Sequence, residues 1–264
     1  MAMIPKIIHY TWFSGEEMPQ VIKDCIASWK KELPDYQLRL WDMAAINDIK
    51  SVFLKEAIAE RKWAFAADFV RLYALYTEGG IYLDTDVVVF KNFDIFLKDR
   101  CFIGTEQSIH FEMIEGVRYL TSHCMGAEKG HVFIKDCLDY YEDRHFVLSH
   151  NEHLPTLLRY NYVIIPYIQA VIALEYGYNW NPRINDIQKC REGLVVYPTD
   201  YFCGNVHIRS SYCQHLTLGG WREHNFPYKG KTSTIQKVRF NCARLFHKFL
   251  LRQSRILMRI KYNG

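Results

Sequence analysis

Residues 65–90 read FAADFVRLYALYTEGGIYLDTDVVVF, and this stretch decides the fold. It divides into a helix, a glycine turn and a strand closed by two aspartates. Between Lys62 and Glu78 the only charged residues are Asp68 and Arg71. A spacing of three puts them on one face of a helix. The remainder of the segment is apolar or aromatic, which predicts a helix inside the protein. Burying an ion pair often costs more than it returns, so its presence there points to a task. Gly79 and Gly80 stop the helix, as glycine at a C-cap does. Ile81-Tyr82-Leu83 then predicts a buried strand, and Asp84-Thr85-Asp86 follows at once. In extended chain, residues two apart face the same side, so Asp84 and Asp86 are expected together beside Tyr82. Two like charges that close need an offset. A hard divalent cation supplies one, Mg²⁺ or Mn²⁺ bridged to a phosphate fitting best. On the residues alone, a buried structural ion pair followed by an ordinary polar turn is the competing reading.

Length and composition frame this core. At 264 residues, with 49% hydrophobic and 15% aromatic content, the chain suits one α/β domain with embellishments or a domain plus a tail. Six Trp and eighteen Tyr are many, as in proteins that stack on sugar or base rings. The eight cysteines show no Cys-x-x-Cys or zinc spacing, and several fall in apolar helical patterns where a free thiol acts as a small hydrophobe. Met1-Ala2-Met3 shows no secretory pattern, and the cytoplasm is the expected compartment. No stretch approaches the ~18 apolar residues of a membrane span.

The net charge of +4 hides an asymmetry. After Glu223 there is no acidic residue while ten Lys or Arg follow, which leaves −6 on residues 1–223. Ile235, Val238, Cys242, Leu245, Phe246, Phe249, Ile256, Leu257 and Ile260 form an apolar stripe whose other face is Lys and Arg. Residues 233–264 are therefore expected to form a basic amphipathic helical tail, and 1–232 the catalytic domain. Such a helix suits an anionic membrane surface, peripherally on the inner face. Nucleic acid is not expected, because no recognition module accompanies the tail.

Ahead of the central stretch, residues 4–13 predict a strand, 19–31 a helix and 36–42 a second strand. This strand–helix–strand opening begins a Rossmann-like nucleotide-binding half. No Gly-x-Gly-x-x-Gly is present, which argues against a dinucleotide site. Residues 44–60 are expected to be helical, and Val87–Phe90 to continue the strand beyond Asp86. Further strands are expected near 102–106, 122–128 and 195–198, with helices at 132–141 and 155–176, the latter kinked or bounded at Pro166. His9 reads as a satisfied core histidine. His145, His150 and His153 lack metalloprotease spacing and read as surface loop.

The central pattern resembles glycosyltransferase family 32, the DXD-containing glycosyltransferases, whose core the glucosylating toxins share. Relatives carry Ala-x-Asp-x-x-Arg on a helix before Gly-Gly-x-Tyr-x-Asp-x-Asp; here Ala66, Asp68, Arg71, Gly79, Gly80, Tyr82, Asp84 and Asp86 match in register. Ile4-Pro5-Lys6-Ile7-Ile8-His9-Tyr10-Thr11-Trp12 is similar to the family's opening segment. The resemblance implies an α/β, GT-A-type fold: a Rossmann-like nucleotide-binding domain with a central mixed sheet flanked by helices. It implies a metal-dependent, retaining transfer of a hexose from a UDP- or GDP-sugar to a glycan hydroxyl. Capsule or O-antigen synthesis, on a lipid-linked or oligosaccharide acceptor, is the expected setting.

By the same resemblance, Asp86 is the direct ligand of Mn²⁺ or Mg²⁺, with Asp84 at the ribose or at the metal through water. Asp68 and Arg71 hold donor hydroxyls, Tyr82 lies beside them, and Trp12 forms a wall for the base. The segment Tyr212–Trp221 is similar to a Tyr-x-x-His-x-x-x-Gly-Ser-Trp of relatives. It makes His215 a third metal ligand or phosphate contact and Trp221 a donor contact, although Gly220 stands where relatives carry Ser. Glu106 is expected on the acceptor side, and a Thr-Gly-Pro common in relatives is missing. No carboxylate stands out as a covalent nucleophile, which favours a front-face route. Two alternatives differ in class. Leu83–Val88 also resembles the first motif of haloacid-dehalogenase-like phosphatases, without the later Lys and acidic pair. A non-catalytic, membrane-associated carbohydrate-binding protein is the other.

Overall fold

The structure is a computed structural model that describes residues 4–106, 118–181, 183–204 and 207–218. Its centre is a seven-stranded mixed sheet. The strands are β1 (Ile7–Thr11), β2 (Gln37–Trp41), β3 (Gly80–Leu83), β5 (Cys101–Thr105), β6 (Leu120–Ala127), β7 (Gln188–Lys189) and β8 (Leu194–Tyr197), in the order β2-β1-β3-β6-β5-β8-β7. β2, β1 and β3 run parallel. β6 then pairs antiparallel to both β3 and β5, and β8 is parallel to β5. A separate two-stranded antiparallel ribbon joins β4 (Val87–Val89) to β9 (Cys213–His215).

Both faces of the sheet are covered, and the pleat decides which residue goes where. Ile81 and Leu83 of β3 pack into one apolar cluster with Trp29, Val87, Val89, Phe96, Phe102 and Phe202. Tyr82, between them, points to the opposite cluster with Phe65, Phe69, Val70, Met125 and Ile168. The first cluster is roofed by α1 (Gln20–Glu32) and the β4/β9 ribbon. The second is roofed by α2 (Val52–Ala59), α3 (Trp63–Thr77), α4 (Val132–Asp139) and α6 (Ile165–Glu175); α5 (Thr156–Arg159) and α7 (Thr199–Phe202) are single turns.

α3 is the internal helix expected, with Phe65 through Leu72 and Ala74 and Leu75 all buried. It ends where the glycines begin. Gly79 takes a left-handed φ of +72° and donates its N–H to Leu75 O at 3.0 Å, the αL cap. Gly80 follows at φ +115°, and a Cβ there would lie 2.8 Å from the carbonyl oxygen of Ile7 on β1. The double glycine thus ends the helix and lets β3 lie against β1. His9 is the satisfied core histidine: it bonds Gly79 O at 2.7 Å and receives the Trp41 indole N–H at 3.1 Å.

Three expected elements change. Helix over 44–60 shrinks to α2, because Asp42 accepts the N–H of Ala45 and turns the chain, and Ser51 then caps a new start by accepting from Leu54 N. The helix over 155–176 divides into α5 and α6, with Pro166 in the first turn of α6, where its missing N–H costs nothing. Val87–Val89 does not continue β3. The chain turns through Thr85–Asp86, with Val87 N donating to Asp84 O at 3.1 Å, and enters the separate ribbon. The seven cysteines among the described residues are free thiols. No helix among the described residues is long and apolar enough to cross a membrane. Trp221 and the expected tail at 233–264 lie outside the described residues.

Candidate active site

β1 and β3 are parallel neighbours, with His9 opposite Tyr82, so Thr11, Trp12 and Asp84 gather at one edge of the sheet. The carboxyl ends of parallel strands are where open α/β sheets place their ligands. The Thr11 hydroxyl and Tyr82 OH lie 3.2 Å apart across this edge. Trp12 follows directly, half-buried, its indole N–H donating to Glu16 O at 2.8 Å.

Asp84 still belongs to the β3–β6 ladder, its N–H donating to His123 O at 2.9 Å. Asp86 lies beyond the turn. A turn, not two-residue alternation along a strand, therefore brings the expected pair of carboxylates together. A third group joins them. The β4/β9 register sets Val87 opposite His215, and His215 Nε2 lies 3.1 Å from Asp86 Oδ1. The same loop binds back to Asp86, Leu216 N donating to its carbonyl at 2.9 Å and Leu218 N to Oδ2 at 3.0 Å. One ligand atom each from Asp84, Asp86 and His215 lie within 4.8 Å of one another.

Behind this cluster sits the α3 ion pair. Arg71 bonds Asp68 at 3.0 Å and Asp84 at 3.3 Å, donates to Ser122 O, and lies over the Tyr82 ring at 4.7 Å. Its residue is 3% exposed and Asp68 9%. The Arg71 guanidinium, expected at the donor sugar, is directed here at the oxygens of Asp68, Asp84 and Ser122. Asp68 is the more accessible of the pair.

Burial and charge set the protonation states. Burial pushes the Asp68 carboxyl up to about 7, against the pull of Arg71. Burial also raises Asp86, but the His215 hydrogen bond and charge, with the Leu218 amide, outweigh it and hold Asp86 below its ordinary value. Burial lowers His215, yet its bond to Asp86 and the charges of Asp84, Asp86 and Glu106 raise it overall. His215 thus keeps its proton to higher pH than a free imidazole, and Asp86 stays ionised to lower pH than a free carboxylate.

Glu106, expected on the acceptor side, stands at the end of β5 and faces His123 at 3.9 Å and Cys203 at 3.5 Å. The His123 ring stacks on His215 at 4.5 Å. Burial, then the His215 charge, push His123 down to about 3, so it is neutral. His123, Cys203, Thr11 and the Leu218 amide are residues that the sequence reading missed. Of these only His123, the one ionisable ring in Leu120–Ala127, left a signal in the sequence.

An internal helix with a buried ion pair, a glycine crossing and paired carboxylates stand at the carboxyl end of parallel strands. Residues 19–103 match the family described as "Glycosyltransferase sugar-binding region containing DXD motif". The chain is 31% identical over 140 residues to inositol phosphoceramide mannosyltransferase 3 of Schizosaccharomyces pombe, covering 50% of this chain and 36% of that protein. It is 34% identical over 101 residues to an uncharacterised glycosyltransferase of Acanthamoeba polyphaga mimivirus, covering 36% and 40%. The chain thus spans well under half the length of these relatives. Among solved structures, the PaToxG glycosyltransferase is 21% identical, with a TM-score of 0.44, covering 66% of this chain and 70% of that one.

Proposed function

We propose that this protein is a metal-dependent glycosyltransferase that moves a hexose from a UDP- or GDP-sugar to an acceptor hydroxyl. The observation that carries the reading is the convergence of Asp84, Asp86 and His215 at the carboxyl end of β3, on residues of the matched family segment or the ribbon paired with it. The donor set fits the group: two carboxylate oxygens and one imidazole nitrogen suit Mn²⁺, and Mg²⁺ less well. When bound, such a cation supplies Lewis-acid stabilisation of the charge that develops on the departing nucleoside diphosphate.

The chain's own residues supply position. Arg71 holds Asp84 from behind, while Leu216 and Leu218 hold Asp86 from the front. Asp68, near neutrality in its charge state, accepts a donor hydroxyl. Trp12, leaving β1 beside them, gives the base an aromatic face to rest on. The acceptor oxygen bonds the anomeric carbon as the bond from that carbon to the phosphate oxygen breaks, and the acceptor proton passes to the departing phosphate oxygen. Retention of configuration by a front-face route, and a setting in cell-surface polysaccharide synthesis, complete the proposal. A lipid-linked acceptor suits the likeness to the mannosyltransferase named above, which acts on an inositol phosphoceramide by its name. Attachment to the inner membrane face through the basic pattern at 235–262 suits such an acceptor.

The test is a panel of UDP- and GDP-sugars with Mn²⁺, scored for free UDP or GDP. Release from one donor class, lost with chelator and in Asp86→Asn, is expected. No release from any donor, or an Asp86→Asn rate equal to wild type, would overturn the proposal. Deleting residues after 232 and sedimenting with anionic vesicles checks the attachment, which unchanged binding would refute.

A further inference from the structure

A second group of metal-ligating side chains lies outside the carboxylate site. Glu106 at the end of β5, His123 on β6 and Cys203 just after α7 each offer one ligand atom, all within 4.8 Å of one another. Glu106 Oε1 is 3.5 Å from Cys203 Sγ, at tetrahedral spacing, and Glu106 Oε2 is 3.9 Å from His123 Nδ1, slightly wider than a bound ion would draw them. Bonds of about 2.0–2.3 Å at tetrahedral angles place their ligand atoms about 3.3–3.8 Å apart.

The orientation of His123 is independent support. Its Nε2 lies 3.0 Å from the Phe202 carbonyl oxygen, which can only accept, so Nε2 carries the proton. Nδ1 is then the nitrogen with the lone pair, and the Thr121 hydroxyl that now bonds it at 2.7 Å turns away when an ion takes its place. A histidine whose far N–H is held by a backbone carbonyl is the arrangement that orients metal-bound imidazoles. Glu106 keeps 15% of its side chain exposed, so ions and a fourth water ligand have a way in.

We propose that Glu106, His123 and Cys203 form a zinc site, separate from the Asp84–Asp86–His215 cluster and standing whether or not the protein transfers sugars. A thiolate and an imidazole select a borderline-soft ion, whereas two carboxylates select a hard one. Binding replaces the Cys203 thiol proton with zinc and releases that proton to solvent. An occupied site would join the ends of β5 and α7 to the middle of β6 beside the His215 ring.

Cobalt is the probe, because Co²⁺ takes zinc geometry and a Co²⁺–thiolate bond absorbs in the near ultraviolet. The full chain, stripped of metal, is titrated with Co²⁺ and then Zn²⁺. One equivalent of Co²⁺ should give the thiolate band, and Zn²⁺ should abolish it. Cys203→Ser should lack the band while melting as wild type, Glu106→Gln should bind at least about tenfold more weakly, and Asp86→Ala should keep the band. No thiolate band in the wild type, an equal band in Cys203→Ser, or equal affinity in Glu106→Gln would each overturn the site. A band lost in a folded Asp86→Ala would overturn its independence from the carboxylate cluster.

Discussion

Replacing Arg71 with Met removes the one cation that stands between Asp68 and Asp84. The guanidinium reaches Asp68 at 3.0 Å and Asp84 at 3.3 Å from a nearly sealed position. Breaking a buried pair by deleting one partner costs about 3–5 kcal/mol, because a charge is left behind. Here two features pull the cost toward the lower end. Asp68 titrates at about 7 even with Arg71 present, so without that charge it takes up a proton and becomes neutral. Asp84 keeps 23% of its side chain exposed, so water reaches it. About 3 kcal/mol is therefore expected at pH 7, a fall in Tm of about 6–12 °C for a domain of this size. Urea unfolding of wild type, Arg71→Met, Asp68→Asn and the double variant completes a cycle. The double variant should recover little, because Asp84 carries most of the penalty. Thermal shift by Mn²⁺ should weaken in Arg71→Met, since Asp84 loses its support. A loss below about 1 kcal/mol would refute the view that Arg71 holds the carboxylates apart, and near-complete recovery in the double variant would refute the assignment to Asp84.

Other consequences follow from single contacts. His215 must lose its proton to bind a cation, and its pKa is raised, so Mn²⁺ affinity measured by calorimetry should climb as pH rises above 6.5, with proton release; a flat profile would count against His215 as a ligand. In metal-free protein the same raised pKa stabilises the fold below pH 6.5, and that share is lost as pH rises through the folded-state value. Asp86, held low, adds stability above pH 3.8 that is lost as pH falls through its folded-state value; His215→Gln should flatten the first limb of an unfolding–pH curve. Gly80→Ala should cost about 3 kcal/mol or abolish folding, because it combines a φ of +115° with a Cβ 2.8 Å from Ile7 O, whereas Gly130→Ala, with open space around it, should cost about 1 kcal/mol in thermal unfolding. Trp29→Phe leaves the Val87 carbonyl, now bonded at 2.7 Å, without its donor, and should lower stability by about 1–3 kcal/mol while loosening the ribbon that carries His215.

Local chemistry written along the chain determined a good deal. The all-round apolar helix of residues 63–77, its single charged pair, the glycine stop and the short buried strand all rest on interactions within a few residues, and each is present as read. The alternation that sends Ile81 and Leu83 to one face and Tyr82 to the other is equally local. Longer-range facts were decided only in three dimensions. The turn at Asp84–Asp86 breaks the strand because Val87–Val89 finds a better partner in residues 213–215, well over a hundred positions away, and no local propensity announces that choice. The pairing of His215 with Asp86 follows from that register, and the meeting of Glu106, His123 and Cys203 from the way the ends of β5 and α7 lie beside the middle of β6. Side-chain chemistry names which residues can hold a proton or an ion; only the packing of strands from distant parts of the chain sets which of them share one.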